Sequence, residues 1–180
     1  MKTLLMICAG LALVSCGNGE ANSNAQPKNA QTSASKVAPP QTGLVPTAQA
    51  WRVDTSKSKL SFSGVQSGDA FSGLFTNFTV DINFDPEKLD ASRVVATINM
   101  NSADAGDAER TNALPSKDWF YAKKYPTAKF ETTSFVAKDT QAYTANGTLT
   151  LRGVTVPLDL PFSLKIDNNH AVMDANITLD

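Results

Sequence analysis

Thr79-Val80-Asp81-Ile82-Asn83-Phe84-Asp85-Pro86 decides the fold. Val80, Ile82 and Phe84 alternate with Thr79, Asp81, Asn83 and Asp85, the period of a strand with one face buried and the other wet. Asp85-Pro86 closes it, because proline cannot continue a ladder. The alternation recurs on both sides. Leu60, Phe62 and Gly64 alternate with Lys59, Ser61 and Ser63 upstream. Val94, Ala96 and Ile98 form the next strand, with Val95 adding an apolar residue to its outer face. Ala128 to Val136, Tyr143 to Leu151, Val154 to Ile166 and Ala171 to Leu179 read as further strands. Arg152-Gly153 and Asp167-Asn168-Asn169 supply tight turns between the last three. Consecutive antiparallel strands with short turns predict an all-β, up-and-down sheet that curls toward a closed barrel.

Asp104 to Tyr125 breaks the pattern. Asp107-Ala108-Glu109-Arg110 is helix-opening chemistry, and Leu114-Pro115 marks an end. A short helix and a helical turn are predicted over one barrel mouth. They carry Trp119, Phe120, Tyr121 and Tyr125, either as a plug for the core or as the lip of a pocket.

The whole chain has 180 residues, 16 Lys+Arg, 17 Asp+Glu and one His, a formal charge of −1. That length fits one compact domain. Balanced charge argues against nucleic acid as a partner, which demands a basic face. Two Cys and one His cannot supply four ligands for a structural zinc, so no metal or cofactor is expected.

The N-terminal residues read as an address. Lys2 precedes an apolar run from Leu4 to Val14, too short to span a bilayer, then Leu13-Val14-Ser15-Cys16. Small residues before a cysteine resemble the lipobox of bacterial lipoproteins. The resemblance implies cleavage before Cys16, diacylglycerol on its sulfur and a third acyl chain, such as palmitate, on its amine. Two or more chains anchor stably where one does not. Gly17 after that cysteine resembles the sorting pattern for the outer membrane, facing the periplasm. Gly17 to Ala50 is rich in Asn, Gln, Ala, Ser, Thr and Pro, with Val37, Leu44 and Val45 its only large apolar residues. Such a tether cannot bury enough surface to order itself. All nine Phe, both Trp and all three Tyr lie from Trp51 onward. The organisation is therefore a signal peptide at 1–15, a lipidated Cys16 with tether through 50, and a barrel domain at 51–180.

Catalytic chemistry is missing. His170 is the only imidazole and falls in a predicted turn, and no Gly-x-Ser-x-Gly elbow presents a serine. The mature chain keeps no free thiol. Asp104 and Asp107 are spaced for a loop or helix start. No catalytic residue is assigned, and the chain is not expected to be an enzyme.

A series of motifs, in chain order from Trp51 onward, carries a family resemblance. The matching residues begin with Trp51-Arg52-Val53-Asp54, Ser58-Lys59-Leu60-Ser61-Phe62 and Phe71-Ser72-Gly73-Leu74-Phe75-Thr76-Asn77-Phe78. Ile82-Asn83-Phe84-Asp85-Pro86, Ser92-Arg93-Val94 and Ile98 follow. Glu109-Arg110 with Leu114-Pro115-Ser116-Lys117-Asp118-Trp119-Phe120, and Tyr125-Pro126-Thr127-Ala128-Lys129-Phe130, come next. Gly147-Thr148-Leu149-Thr150-Leu151-Arg152-Gly153-Val154-Thr155-Val156-Pro157 completes the set, and together these motifs resemble the YceI-like family, bacterial polyisoprenoid-binding, lipocalin-like proteins. Thr111 stands where the family usually has an acidic residue. The chain stops at Thr178-Leu179-Asp180, where the family usually continues through at least one more strand; a truncated chain is expected.

The resemblance implies an eight-stranded lipocalin-like barrel with a long apolar channel that holds an isoprenoid or related lipid. The inward-alternating positions Leu60, Phe62, Phe75, Val80, Ile82, Phe84, Ile98, Phe130, Leu149, Leu151, Leu160 and Phe162 are the expected lining, with Trp119 and Phe120 guarding a mouth. The same residues would equally fill a solid core, since alternation cannot tell lining from packing. Expected partners are the apolar ligand and a membrane reached through acylated Cys16, with a homodimer left open. Two other classes stand beside this one. An envelope interaction module would show an exposed apolar patch and carry no lipid. An enzyme acting on a lipid or quinone would need polar groups converging inside the channel.

Overall fold

The computed structural model describes residues 48–179 and, as backbone, residues 5–14. Eleven strands and one α-helix follow in chain order. They are β1 (Leu5–Val14), β2 (Ala50–Val53), β3 (Lys59–Gln66), β4 (Asp69–Phe75), β5 (Phe78–Asn83), β6 (Arg93–Asn99) and β7 (Ala103–Asp104). Helix α1 (Ala108–Ala113), β8 (Thr127–Asp139), β9 (Ala142–Leu151), β10 (Val154–Asp167) and β11 (His170–Leu179) complete the series. All belong to one sheet in the order β11-β10-β9-β8-β6-β5-β2-β1-β3-β4-β7, and β11 also pairs with β1. Every pairing is antiparallel. The sheet therefore curls as the alternation predicts, and the pairing of β11 with β1 brings its sides together through a segment that the alternation did not count as a strand.

Three hairpins turn on positive φ. Ser67 and Gly68 (55° and 95°) join β3 to β4, and Arg152 and Gly153 (52° and 76°) join β9 to β10. Asn168 (52°) turns β10 into β11. Two-residue turns of this hand match the twist of the strands they connect. Curvature comes from a bulge in β8 between Thr132 and Ser134. There Thr132 accepts the Val94 N–H at 2.8 Å and donates to the Val94 carbonyl at 3.1 Å, replacing ladder bonds the bulge displaces.

Leu5–Val14, the apolar run read as an export signal, lies extended between β11 and β3. Ile7 is opposite Ile177 on one side and Phe62 on the other. Cys16, the cleavage site before it and nearly all of the tether lie outside the described residues.

The interior contains two apolar clusters. One gathers Phe62, Phe71, Phe75, Met100, Leu114 and Phe120 under α1 and the turns after it. The other surrounds Trp51, Phe84, Phe130, Phe135, Tyr143 and Phe162. The helical insertion is where the sequence puts it: Asp107 caps α1 by accepting the Arg110 N–H at 2.9 Å. Thr111, the departure from the family pattern, accepts the Ala105 N–H at 3.0 Å and donates to Asp104 at 3.2 Å, closing the loop before the helix.

Gly73 allows β4 to lie close against β7 and the Phe62 ring. A Cβ there would sit 2.5 Å from the Asp104 carbonyl oxygen and 2.5 Å from the ring. Gly73→Ala should destabilise the domain by ~1–3 kcal/mol, the range for an overpacked core. It should appear as a lower urea midpoint with an unchanged slope; an unchanged midpoint would refute the close approach.

Candidate functional site

Between the two clusters lies a cavity of about 140 Å³. Strands from all round the barrel wall it: Leu60 from β3, Val80 and Ile82 from β5, Ile98 from β6, Phe130 from β8, Leu149 from β9, Leu160 and Phe162 from β10, and Met173 and Ile177 from β11. Phe84, just past β5, closes its far side. Among the described lining residues, Thr132 and Trp51 carry polar side-chain atoms, and both are bonded to backbone: Val94 occupies the Thr132 hydroxyl and the Phe84 carbonyl takes the Trp51 indole N–H. The exposed lining is entirely apolar, so a guest meets hydrocarbon alone.

Aromatic side chains pack together in both clusters. At the α1 end, Phe62 packs 4.9 Å from Phe75 and 5.7 Å from Phe120, centroid to centroid. Phe71 meets Trp119 edge-on at 5.4 Å, and the Arg110 guanidinium lies over the Phe71 ring. At the other end Phe84 contacts Phe135, Tyr143 and Phe162 at 5.1, 5.5 and 6.0 Å, each edge to face. Trp51 pins this end by donating its buried indole N–H to the Phe84 carbonyl at 2.8 Å.

The residues expected to line a channel thus divide. Leu60, Val80, Ile82, Phe84, Ile98, Phe130, Leu149, Leu160 and Phe162 border the cavity. Phe62, Phe75 and Phe120 are buried in the packed plug, with Trp119 half-buried against it. Leu151 is half-buried between the two clusters and borders neither opening. Sequence reasoning left out Trp51, Phe135, Leu158, Leu164 and the β11 wall of Ala171, Met173, Ala175 and Ile177. Period-two alternation carried one step further each way along β10, and applied along the whole of β11, would have found most of them.

No titratable group is among the described residues that line the cavity. The groups with displaced proton affinity lie on the surface. Ser56 donates to Asp54 and Lys129 to Glu131, holding both carboxyls below their usual range, while Tyr125 raises Lys124. Glu131 is bridged by Lys129 at 2.7 Å and by Arg93. His170 starts β11 opposite Asp167, exposed. Among the described residues, no group of three His, Cys, Asp or Glu is placed to hold a metal ion. No helix there is long and apolar enough to cross a membrane.

A family model described as YceI-like domain matches residues 51–180. A UPF0312 protein of Photorhabdus laumondii is 42% identical over 88 residues, which cover 49% of this chain and 45% of that one. A UPF0312 protein of Yersinia enterocolitica is 39% identical over 97 residues, covering 54% and 50%. The chain spans about half the length of the curated relatives it matches. Among solved structures, Burkholderia cenocepacia BcnA superposes with a TM-score of 0.61 at 22% identity, covering 71% of this chain and 99% of that one. A Campylobacter jejuni YCEI protein gives 0.50 at 28% identity, with 57% and 59% covered.

Thr132→Val separates the wall's stability from its chemistry. It removes both bonds to Val94 and should cost ~1–3 kcal/mol, the price of orphaning a buried backbone group. Because the cavity face stays apolar, affinity for an apolar guest should be unchanged when measured by fluorescence titration.

Proposed function

The chain belongs to the YceI-like domain family, and on that premise we propose that its barrel binds a long-chain isoprenoid or related amphiphilic lipid. The family's barrel is a binding fold rather than a known enzyme fold. The observation that carries the reading is the apolar cavity, ringed by side chains from strands all round the barrel, with no titratable group among its described lining residues. Hydrocarbon is the only guest whose transfer into such a space is favoured, at ~25 cal/mol per Å² removed from water. Among the described residues no titratable group lines it, which supports holding a ligand over transforming it.

The sequence supplies the setting. A lipidated Cys16 would tether the barrel at the bacterial envelope, at the outer membrane facing the periplasm, on a polar segment spanning ~30 Å as a coil. The ligand and the anchor would then share one membrane surface.

The test is extraction. Protein purified gently from its native membrane is treated with organic solvent, and the extract is compared by mass spectrometry with that of a control lipoprotein. A stoichiometric isoprenoid found with this protein alone is the expected result. An empty extract from folded protein would favour the envelope interaction module. Leu158→Trp gives a second check. Leu158 lines the cavity yet is only half-buried, so the indole can fill space without dismantling the core. Affinity for retinol, a fluorescent isoprenoid alcohol, should fall at least ~10-fold, a loss of ~1.4 kcal/mol.

A further inference from the structure

Pairing between β10 and β11 runs from Asp167↔His170 to Phe162↔Ala175 and stops, although β10 extends back to Val154 and β11 on to Leu179. Proline explains the stop. In an antiparallel pair, every second residue turns its N–H and C=O toward a given neighbour. Asp167 and His170 flank a two-residue turn and exchange both bonds, so Asp167, Lys165 and Ser163 face β11. The next residue in that series is Pro161, which has no N–H to offer the carbonyl of Asn176. Pro157 repeats the defect four residues on. The β9–β10 hairpin gives the same phase: Val154 faces Leu151, so even-numbered residues bond to β9 and neither proline interrupts that ladder.

The break lies over the cavity. On its inner side Leu158, Leu160, Met173 and Ile177 line the cavity and are only half-buried. Phe78, Val80, Val94 and Ala96 on the β5–β6 side are half-buried as well, whereas Ile82, Phe84, Phe130 and Leu149 are buried. On its outer side an open cleft of about 620 Å³ is bordered by Pro161, Ser163, Asp174 and Asn176, with Lys138 at its edge. Phe162 and Ala175 belong to both spaces and form the thin wall between them. Both barrel ends are packed with aromatic rings, so this side is the weak one.

We infer that the ligand enters sideways, between β10 and β11 at Pro161, with its hydrocarbon in the cavity and a hydrogen-bonding head left in the outer cleft. The inference rests on the binding reading above and adds the route. Charged groups of both signs border the cleft and none is among the described residues of the cavity lining, which suits a guest apolar along its length and polar at one tip.

Asp159→Cys with Thr178→Cys tests it. These exposed residues face each other if the register is continued past Pro161, and neither borders the cavity. A disulfide between them, verified by mass, would clamp the strands. Stopped-flow fluorescence would follow retinol uptake by the oxidised variant, the same protein after reduction, and the parent chain under both conditions. The expected result is uptake at least ~10-fold slower in the oxidised variant alone, restored by reduction. Equal rates with the bond formed would overturn the lateral route while leaving binding intact. A parent chain that takes up no retinol would overturn the binding reading, and the route with it. Pro161→Thr with Pro157→Thr restores the missing donors by a different means. It should also slow uptake, with added amide protection along β11, and protection gained without slowing would overturn the route.

Discussion

Each strand of a curled antiparallel sheet must send its backbone N–H and C=O groups alternately to a neighbour on either side, and this requirement organises the molecule. Where the ladder is irregular, a named side chain takes over. Thr132 serves Val94 across the β8 bulge, and Trp51 serves the Phe84 carbonyl where β5 ends. The edges of β3 and β11 meet their partner in β1, which spans all ten residues of β11 and five of β3. Cleavage before Cys16 would take that strand away and leave two long facing edges. Such edges invite another strand, so a chain cleaved there would need a different occupant for this seat.

The two apolar clusters obey the same alternation and reach different densities. Under α1 the insertion brings Leu114 and Phe120 down onto Phe62 and Phe75, and the space fills. Beyond it no insertion reaches the axis. Inward residues there come from the strands alone, several of them small, such as Ala96, Ala145, Ala171 and Ala175. Small residues on facing walls leave a void that larger ones would close. The cavity therefore follows from where the helical insertion ends.

The strands were legible because their pattern is local. Val80, Ile82 and Phe84 announce their face without knowledge of any other strand. Division of the interior was not legible, because Phe62 and Phe84 sit in identical alternation and differ only in what the insertion places above them. Gly73 could be read as crowded but not against which neighbour. Pro157 and Pro161 were visible in the sequence as well. Their meaning depends on hairpin phase, which fixes whether a missing N–H injures the ladder on one side or opens a gap on the other. That phase became readable only with the registers of both hairpins.

Cavity size constrains how a long ligand can be held. A closed apolar space of ~150 Å³ takes a guest of about benzene's size, and the space here is about 140 Å³. A long isoprenoid cannot be enclosed at that volume. Burying ~400 Å² of such a chain, worth ~10 kcal/mol before the costs of association, requires the walls to part. The aromatic ends resist parting, since each ring there contacts others that would lose their packing together. The β10–β11 wall resists least, because beyond Pro161 no ladder bond has to break before the strands separate. Ligand size and the point of opening are thus one question. The longer the bound chain, the more of it must emerge past Pro161 into the cleft beside Lys138 and Asp174.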